Sequence, residues 1–520
     1  MNTAIPRLHA VPIPWARGSR LQLLFKLRSV FGRLPSTRGM ATRSRTYEDA
    51  LELLGSLQPN TSATGLFKKA PNSPSPSPSS STSPSPNARA IPEMLAWLSL
   101  AGITPANLPF RAIHIAGTKG KGSTATYASS VLRAGLGPGA RVGTYTSPHL
   151  VTVRERISLD GAPIPRELFA RYFFEVWDAV GCAPASDPGG GGPPGADGLV
   201  RPFYFRFLTI LALHVFRREG IRHAVVECGI GGEYDATNVL PASAVSASVV
   251  THLELDHVAM LGGTEAEIAW HKAGIFKSGV PAFTRPQTPE AMAVLRARAA
   301  EKGAPLVEIS DEEAALWEGD DASEGPFERD NRALGAAAAL CHLWGTHGPV
   351  TPKDKAWVSE AMRGARLGGR CQVLRRGPTT FYLDGAHTSE SASRIGSWFG
   401  SRTGSSGPRR VLLFNQQYRD AAALLERVVE GFAPATFDEA IFTRNELEGD
   451  GERDVGVQEG LGEAMGKMSP RTEVVVAGNL GEALEKLEGR EVEVLVTGSL
   501  YLVGGVLKAL GEEEGQVDSG

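Results

Sequence analysis

The chain has 520 residues, of which 42% are hydrophobic, and 54 lysines and arginines nearly balance 57 aspartates and glutamates. This length allows two folded domains with sizeable cores, and the formal net charge of -3 argues against a general nucleic-acid-binding protein. No apolar run reaches the roughly 18 to 20 residues that a bilayer span needs, so we expect no integral membrane segment. The cysteines lie far apart without a CxxC pair, which excludes a zinc-ligand spacing.

The N-terminal segment, residues 1–45, contains many arginines and lysines and no acidic residue before Glu48. Its residues 21–31, LQLLFKLRSVF, can form a basic amphipathic helix. This composition predicts a mitochondrial transit peptide, and a disordered basic tail is the alternative. Translation from Met40 would omit most of the segment, so we expect the protein both in the mitochondrion (matrix or inner-membrane surface) and in the cytoplasm.

Two segments offer almost nothing apolar to bury. One lies near residues 71–90 and contains PNSPSPSPSSSTSPSP, and the other is a glycine-proline run at residues 183–198. Such segments cannot offset the entropy lost on ordering. We predict both as disordered insertions without a chemical role.

Outside the insertions, short β-rich runs alternate with helix-like segments, which indicates an α/β fold with parallel sheets. The runs are RAIHIAG, RVGTYT, HAVVECG and SASVVTHL in the first part of the chain, then FYLDGAH, RRVLLF, TEVVVAG and EVLVTG. A charged, turn-rich region near residues 318–328 is the expected boundary. We therefore predict an ATP-binding, P-loop NTPase-like domain over residues 46–325 and a smaller Rossmann-like domain over residues 326–520.

The segment Ile113 to Thr126, IHIAGTKGKGSTAT, runs from an apolar strand into a glycine-rich turn and then into a helix. Glycines let backbone N–H groups approach a phosphate, Lys121 supplies a mobile positive charge, and Ser123 and Thr124 supply hydroxyls. The sequence of this turn differs from the common P-loop motif GxxxxGK[ST], so an ordinary strand-to-helix turn with a surface lysine is the alternative. The context favours a nucleotide phosphate site.

Two further motifs follow predicted strands. Ser147 in TSPHL follows the RVGTYT strand and could serve a metal or a phosphate, while Arg154 and Arg156 could meet an anionic substrate; a solvated loop is the alternative. Glu227 ends the next apolar strand and precedes a glycine-rich turn. A carboxylate there can bind the magnesium of a nucleotide, or it can be an ion-paired glutamate.

The third motif runs from Thr251 to Phe283 and contains His257 and Lys272. A histidine near a glutamate can complete a magnesium site, although a single histidine is more often an ordinary hydrogen-bonded residue. Lys272 follows a helix over Glu265 to Trp270 and has apolar neighbours. Burial should therefore lower its pKa and permit chemical modification.

Together these motifs resemble the folylpolyglutamate synthases of the Mur ligase superfamily. The shared segments, in chain order, are GTKGKGS, TSPHLVTVRERI, ECGIGGEYDATNV, LDHVAMLGGTEAEIAWHKAGIFK, YLDGAHTSES and VTGSLYLVGGVL. RPFYFRFLTILALHVF, from Arg201, is similar to the eukaryotic members in particular. The resemblance covers most of the chain from Tyr47 onward and implies the two-domain Mur ligase architecture.

The resemblance implies a role for each matching residue. ATP is expected at Gly120, Lys121, Gly122, Ser123, Arg370 and Asp384; magnesium is expected at Ser147, Glu227 and His257; and glutamate is expected near His387 and Ser499. Lys121, Lys272 and His387 are the expected catalytic residues, and Lys272 matches a lysine that is carbamylated in relatives. Mg²⁺ is the expected cofactor, ATP the co-substrate, and a monovalent cation such as K⁺ an additional candidate.

The implied activity is ATP-dependent addition of L-glutamate to the γ-carboxylate of folates through an acyl phosphate, by a monomer. Two alternatives stay open from the sequence. Dihydrofolate synthase would use the same residues on dihydropteroate. A P-loop kinase or a catalytically silent nucleotide-binding regulator would belong to a different class, and the set of Lys121, Glu227, His257 and Lys272 argues against silence.

Overall fold

The computed structural model describes residues 45–57, 89–181, 200–317, 326–365, 367–404, 407–417, 420–447 and 454–511. The predicted transit peptide lies outside this part of the chain except for Arg45, as do residues 71–88 and 183–198 of the predicted insertions. Residues 89 and 90 are described, and Ala90 begins a helix.

Eight of the described strands form the first sheet, in the order β4-β3-β2-β5-β1-β6-β7-β8. The six strands from β2 to β8 in this order run parallel, whereas β3 and β4 pair antiparallel at one edge. The strands are β1 (Arg111–Ala116), β2 (Val142–Tyr145), β3 (Ile157–Leu159), β4 (Ala162–Pro163), β5 (His223–Glu227), β6 (Val245–Val250), β7 (Ala282–Thr284) and β8 (Leu306–Glu308).

Helices cover both faces of this sheet because its central strands are buried on both sides. The helices in this part of the chain are α1 (Tyr47–Ser56), α2 (Ala90–Leu100), α3 (Lys121–Leu136), α4 (Arg166–Val180), α5 (Tyr204–Arg218), α6 (Val258–Leu261), α7 (Glu265–Lys272), α8 (Pro289–Lys302), α9 (Asp311–Ala315), α10 (Pro326–Trp344) and α11 (Pro352–Arg363).

Helix α10 packs closely on α3, the helix that follows the glycine-rich turn. Gly335 allows this approach, because a Cβ there would stand 2.9 Å from Tyr127 Cβ and 3.1 Å from the Thr124 carbonyl oxygen. Residues of α10 and α11 share one hydrophobic core with β1 and α3. The predicted division between residues 325 and 326 stays a prediction, although both helices beyond it complete the core of the first sheet.

The second sheet has the order β13-β12-β11-β14-β10-β9, in which β9 alone runs antiparallel to its neighbour. Its strands are β9 (Gln372–Arg376), β10 (Thr379–Leu383), β11 (Arg409–Phe414), β12 (Glu439–Phe442), β13 (Glu473–Val476) and β14 (Val492–Thr497). Its helices are α12 (Ser389–Arg402), α13 (Ala421–Phe432), α14 (Gly456–Met468), α15 (Leu480–Glu485) and α16 (Leu500–Ala509). The predicted α/β class with two parallel-dominated sheets is therefore confirmed.

None of the helices in the described part of the chain combines the length and the apolar character that crossing a bilayer requires.

Candidate active site

The glycine-rich turn between β1 and α3 has a shape that glycine alone permits. Gly117 and Gly120 have φ angles of +152° and +84°. A Cβ on Gly117 would stand 1.8 Å from Thr251 Oγ1, and one on Gly120 would stand 2.0 Å from Asn331 Oδ1. At Gly117 and Gly120 a side chain is therefore excluded both by the backbone conformation and by the neighbouring atoms.

The first turn of α3 presents a site for an anion. The helix has 16 residues and begins at Lys121, so the N–H groups of its first turn, which includes Gly122 and Ser123, lie at its positive end. Lys121 Nζ donates to the carbonyl oxygens of Gly117 at 2.9 Å and Thr118 at 3.3 Å. The lysine thus folds back over the turn, where its ammonium group can reach a bound phosphate.

The segment after β6 is joined to the turn by hydrogen bonds. The N–H groups of Thr118 and Lys119 donate to the carbonyl oxygen of His252, at 2.9 and 3.2 Å, and Thr251 Oγ1 donates to that of Lys119 at 2.6 Å. Lys119 also forms an ion pair with Glu254 at 2.5 Å. These bonds fix the turn before any ligand binds, as preorganised phosphate binding requires.

Glu227 ends β5 beside the turn and is 2% exposed. Its Oε2 accepts a hydrogen bond from the backbone N–H of Ser147 at 2.9 Å. Burial raises the pKa of Glu227 to about 7, and the positive charges of Lys121, Arg370 and Arg156 act in the opposite direction. The structure thus brings together the predicted residues Ser147, Glu227 and Lys121.

Lys272 is the last residue of α7 and is 3% exposed, as its apolar neighbours predicted. Its Nζ donates to the carbonyl oxygen of Gly117 at 2.8 Å, so it touches the same turn as Lys121. Burial, assisted by the charge of Lys121, lowers the pKa of Lys272 to about 7. A lysine in this state has a substantial neutral fraction near neutral pH, which is the form that reacts with an electrophile.

His257 lies at the start of α6 with a φ of +51°. Its Nε2 is 3.8 Å from Asp256 Oδ2, and its backbone N–H donates to Asp256 Oδ1 at 2.8 Å. Glu227 therefore contacts Ser147, and His257 contacts Asp256. The shared magnesium site of Glu227 and His257 stays a prediction.

The second sheet contributes Arg370 and Asp384. Asp384 follows β10 and accepts a hydrogen bond from the backbone N–H of Cys371 at 2.9 Å. Burial raises the pKa of Asp384, and the charge of Arg370 opposes this. The charge of the same guanidinium also acts to lower the pKa of Glu227, which ends β5 of the first sheet.

His387 and Ser499 lie at the same edge of the second sheet. His387 follows β10, and its Nδ1 is 2.8 Å from the carbonyl oxygen of Gly385. Ser499 caps α16, where its Oγ accepts from the N–H of Tyr501 at 3.1 Å. Both follow neighbouring parallel strands, β10 and β14, at the edge where open α/β sheets bind ligands.

Three features of the site were not predicted or were predicted only in part. Asn331 from α10 closes the turn at Gly120, and no sequence motif marks it. Arg156 donates from Nε to His149 Nδ1 at 2.8 Å, and its charge acts to lower the pKa of Glu227. Arg154 is buried and donates to the carbonyl oxygen of Ile164 at 2.8 Å, and its predicted contact with an anionic substrate stays a prediction.

The glycine-rich phosphate turn, the buried carboxylate beside it and a second α/β sheet define an α/β nucleotide-binding protein of the Mur ligase type. No family model matches the chain. The folylpolyglutamate synthases of two strains of Saccharomyces cerevisiae, FostersO and S288c, are each 35% identical to it, and the alignments cover 95% of this chain and 93% of theirs. The chain belongs to the folylpolyglutamate synthase family.

Solved structures of folylpolyglutamate synthases share the fold. The Mycobacterium tuberculosis protein, complexed with ADP and AMPPCP, has a TM-score of 0.65 at 24% identity and covers 82% of this chain and 96% of its own. A folylpolyglutamate synthase complex with AMPPCP and folate has a TM-score of 0.62 at 25% identity, covering 89% of this chain and 99% of its own.

Proposed function

We propose that the protein is a tetrahydrofolate:L-glutamate γ-ligase, which uses ATP to add L-glutamate to the γ-carboxylate of folates and folylpolyglutamates. The observation that carries the proposal is the preformed glycine-rich turn, with Lys121 folded over it and the buried Glu227 carboxylate beside it. The yeast relatives and the complex with AMPPCP and folate support the choice of ATP and folate as substrates.

The reaction follows from the chemistry of amide formation, because a carboxylate is a poor electrophile. The folate γ-carboxylate attacks the γ-phosphorus of ATP, the bond to the bridging oxygen breaks, and an acyl phosphate and ADP form. The N–H groups of the first turn of α3 hold the phosphates, and Lys121 neutralises the charge that develops on the transferred group. The amino group of glutamate then attacks the acyl carbon, loses a proton, and expels phosphate.

The donor set at the turn fits magnesium. Glu227 supplies a buried carboxylate and Ser147 a hydroxyl, and hard oxygen ligands of this kind are what Mg²⁺ prefers. Ser147 and Glu227 would hold the ion, with His257 as the third predicted ligand. A bound Mg²⁺ would stabilise negative charge on the phosphates.

The remaining predicted residues receive roles in this scheme. Lys272, carbamylated at its neutral amine, would present a carboxylate to the metal beside the turn. His387 and Ser499, after β10 and β14, would contact the incoming glutamate, while Arg370 and Asp384 would contact ATP.

The test is ADP release by the protein from Arg45 onward with magnesium-ATP, tetrahydrofolate and glutamate, each omitted in turn, with mass spectrometry of the folate. ADP that depends on both folate and glutamate, with a folate heavier by glutamyl units, supports the ligase. Extension of dihydropteroate alone would identify a dihydrofolate synthase, and ATP consumption without glutamate addition would identify a kinase. A K⁺ requirement is tested by exchanging K⁺ for Na⁺ in the same assay.

We also propose that the protein acts as a monomer in the mitochondrion and the cytoplasm. The basic composition of residues 1–45 and the methionine at position 40 support two translation products. A fluorescent fusion of residues 1–45 should enter mitochondria, and the fusion begun at Met40 should stay in the cytoplasm. Light scattering of the purified protein tests the monomer.

A further inference from the structure

The segment between β2 and β3, residues 146–156, is called the Ser147 loop here. It contains a contact that the proposed mechanism does not use: Arg156 donates from Nε to Nδ1 of His149 at 2.8 Å. The Arg156 guanidinium also stands over the ring of Tyr204, with Cζ 5.6 Å from the ring centroid. The histidine and the tyrosine therefore hold this guanidinium from two directions.

The Ser147 loop is itself firmly bonded. The carboxylate of Glu155 accepts from the backbone N–H groups of Leu150, Val151 and Thr152 at 2.7, 2.8 and 2.6 Å. The two ends of the loop are joined where the N–H of Thr146 donates to the carbonyl oxygen of Arg156 at 3.0 Å. His149 thus projects from a fixed backbone, so its ring can fix the side chain that it contacts.

The direction of the hydrogen bond defines the state of His149. An arginine Nε always carries a proton, so Nδ1 of His149 must be the acceptor and the neutral ring carries its proton on Nε2. With Nε engaged by His149, the two terminal nitrogens of Arg156 donate to no side chain or carbonyl oxygen in the described part of the chain and keep their N–H groups for another partner.

That partner lies on the side of Glu227, because Ser147 of the same loop donates its backbone N–H to Glu227 Oε2 at 2.9 Å and follows Thr146, which bonds the Arg156 carbonyl oxygen. The charge of Arg156 also acts on the Glu227 carboxyl group. The edge where phosphate, Ser147 and Glu227 meet is also where the folate carboxylate must approach the γ-phosphate. A guanidinium with two free terminal nitrogens matches the planar geometry of a carboxylate or of its acyl phosphate.

We propose that His149 is a positioning residue, which holds the Arg156 guanidinium toward the substrate carboxylate that accepts the phosphoryl group. The inference deepens the proposed ligase function and depends on it. Arg156 would touch the reacting group, and His149 would act through Arg156.

The test compares His149→Leu, which removes the acceptor, with His149→Asn, whose side-chain oxygen can replace Nδ1. We expect His149→Leu to lower kcat roughly 10- to 100-fold with a KM for ATP within about twofold of wild type, and His149→Asn to recover most of kcat. His214→Leu is the control, because His214 also hydrogen-bonds a charged side chain, that of Glu175, at 2.8 Å. It should leave kcat unchanged.

A double-mutant cycle with Arg156→Met separates positioning from a general effect on folding. If His149 acts through Arg156, adding His149→Leu to Arg156→Met should cause less than about a twofold further loss. Independent losses that multiply, or equal loss in the leucine and asparagine variants, would overturn the inference.

Crystal structures of wild type and His149→Leu give a readout that needs no turnover. A guanidinium displaced from the wild-type position in the leucine variant supports the positioning role, and an unmoved guanidinium overturns it. Failure of the wild-type protein to add glutamate would instead overturn the proposed function, so the two failures are distinguishable.

Discussion

Gly120 is subject to two separate restrictions, its positive φ and the amide oxygen of Asn331 at 2.0 Å from a Cβ position. In Gly120→Ala the turn or the Asn331 side chain must move, which should displace the N–H groups that we propose bind the phosphates. We expect ligase activity to fall at least roughly 100-fold, since misplacement of a binding group by about 1 Å has effects of that size. Steady-state ADP release, with calorimetric titration of AMPPCP, checks this.

Gly220→Ala is the matched control. Gly220 also has a positive φ, +65°, but no atom lies within 4 Å of its Cβ position. The substitution should cost about 1 kcal/mol of stability through backbone strain alone and leave activity intact. Equal loss of activity in both variants would show that strain, and not the contact with Asn331, explains the effect at Gly120.

Glu227 should destabilise the free protein at alkaline pH. Burial raises its pKa from 4.5 to about 7, so its contribution to stability is complete below pH 4.5 and is lost as the pH rises through 7. Glu227→Gln stays neutral, and it should exceed wild type by about 3 kcal/mol at pH 8 and by under about 1 kcal/mol at pH 5. Urea unfolding with a chelator present measures the difference, while magnesium-dependent activity should be lost.

The control for this pH dependence is Glu167→Gln, because Glu167 lies exposed in the first turn of α4. Its stability difference from wild type should be small and nearly constant between pH 5 and pH 8. A Glu227→Gln variant that is less stable than wild type at pH 8 would contradict the prediction, since it would mean that the surrounding positive charges outweigh the desolvation cost.

At the scale of elements, the sequence predicted the strands with a continuous apolar or β-branched run well, and it missed the two- and three-residue strands and the polar edge strand β9. All eight β-rich runs are strands of the two sheets, because each contains several consecutive apolar or β-branched residues. β4 has two residues, and β7 and β8 have three each, too few for a periodic signal. β9 is an edge strand in which exposed positions predominate, so it contains few apolar residues.

The site was predictable where the chemistry lies in a local motif. The phosphate turn follows a strand, Glu227 ends a strand, and Lys272 ends a helix, and each lies in a recognisable sequence pattern. Asn331 was not predictable because its role depends on how α10 packs against α3, about two hundred residues earlier in the chain. The His149 and Arg156 contact likewise depends on the folded shape of the Ser147 loop, which residue types alone do not specify.

Helix α16 and the Ser147 loop meet at Gly504. A Cβ on this residue would stand 2.0 Å from the carbonyl oxygen of Leu150. Gly504→Ala should therefore push the loop, and with it Ser147, away from the second sheet. We expect a loss of about 1–3 kcal/mol of stability and a roughly tenfold loss of kcat, measured by urea unfolding and ADP release.

Gly460→Ala controls for the effect of alanine in a helix. Gly460 lies in α14, and no atom stands within 4 Å of its Cβ position. The substitution should raise stability by about 0.8 kcal/mol and leave activity unchanged. If Gly504→Ala behaved in the same way, the contact between α16 and the loop would have no part in the site.

At the scale of the whole molecule, the phosphate turn follows a strand of the first sheet, whereas Arg370 precedes β9 of the second sheet. The positive charges of Lys121 and Arg370 both act to lower the pKa of Glu227. A nucleotide bound at the turn would therefore come near Arg370, although Arg370 follows the last strand of the first sheet, β8, far along the chain. A ligand that contacts both parts should stabilise them together, and closure around it would protect the acyl phosphate from water.

Arg370→Met tests whether the second part contributes to ATP binding. At an AMPPCP concentration of 100 times the wild-type Kd, the nucleotide should stabilise wild type by about 2.7 kcal/mol. If Arg370 contacts the phosphates, its loss should weaken affinity roughly tenfold and leave about 1.4 kcal/mol. Arg375→Met, at an exposed position of β9, is the matched control and should keep the full stabilisation. Equal stabilisation of all three proteins would confine nucleotide binding to the first sheet.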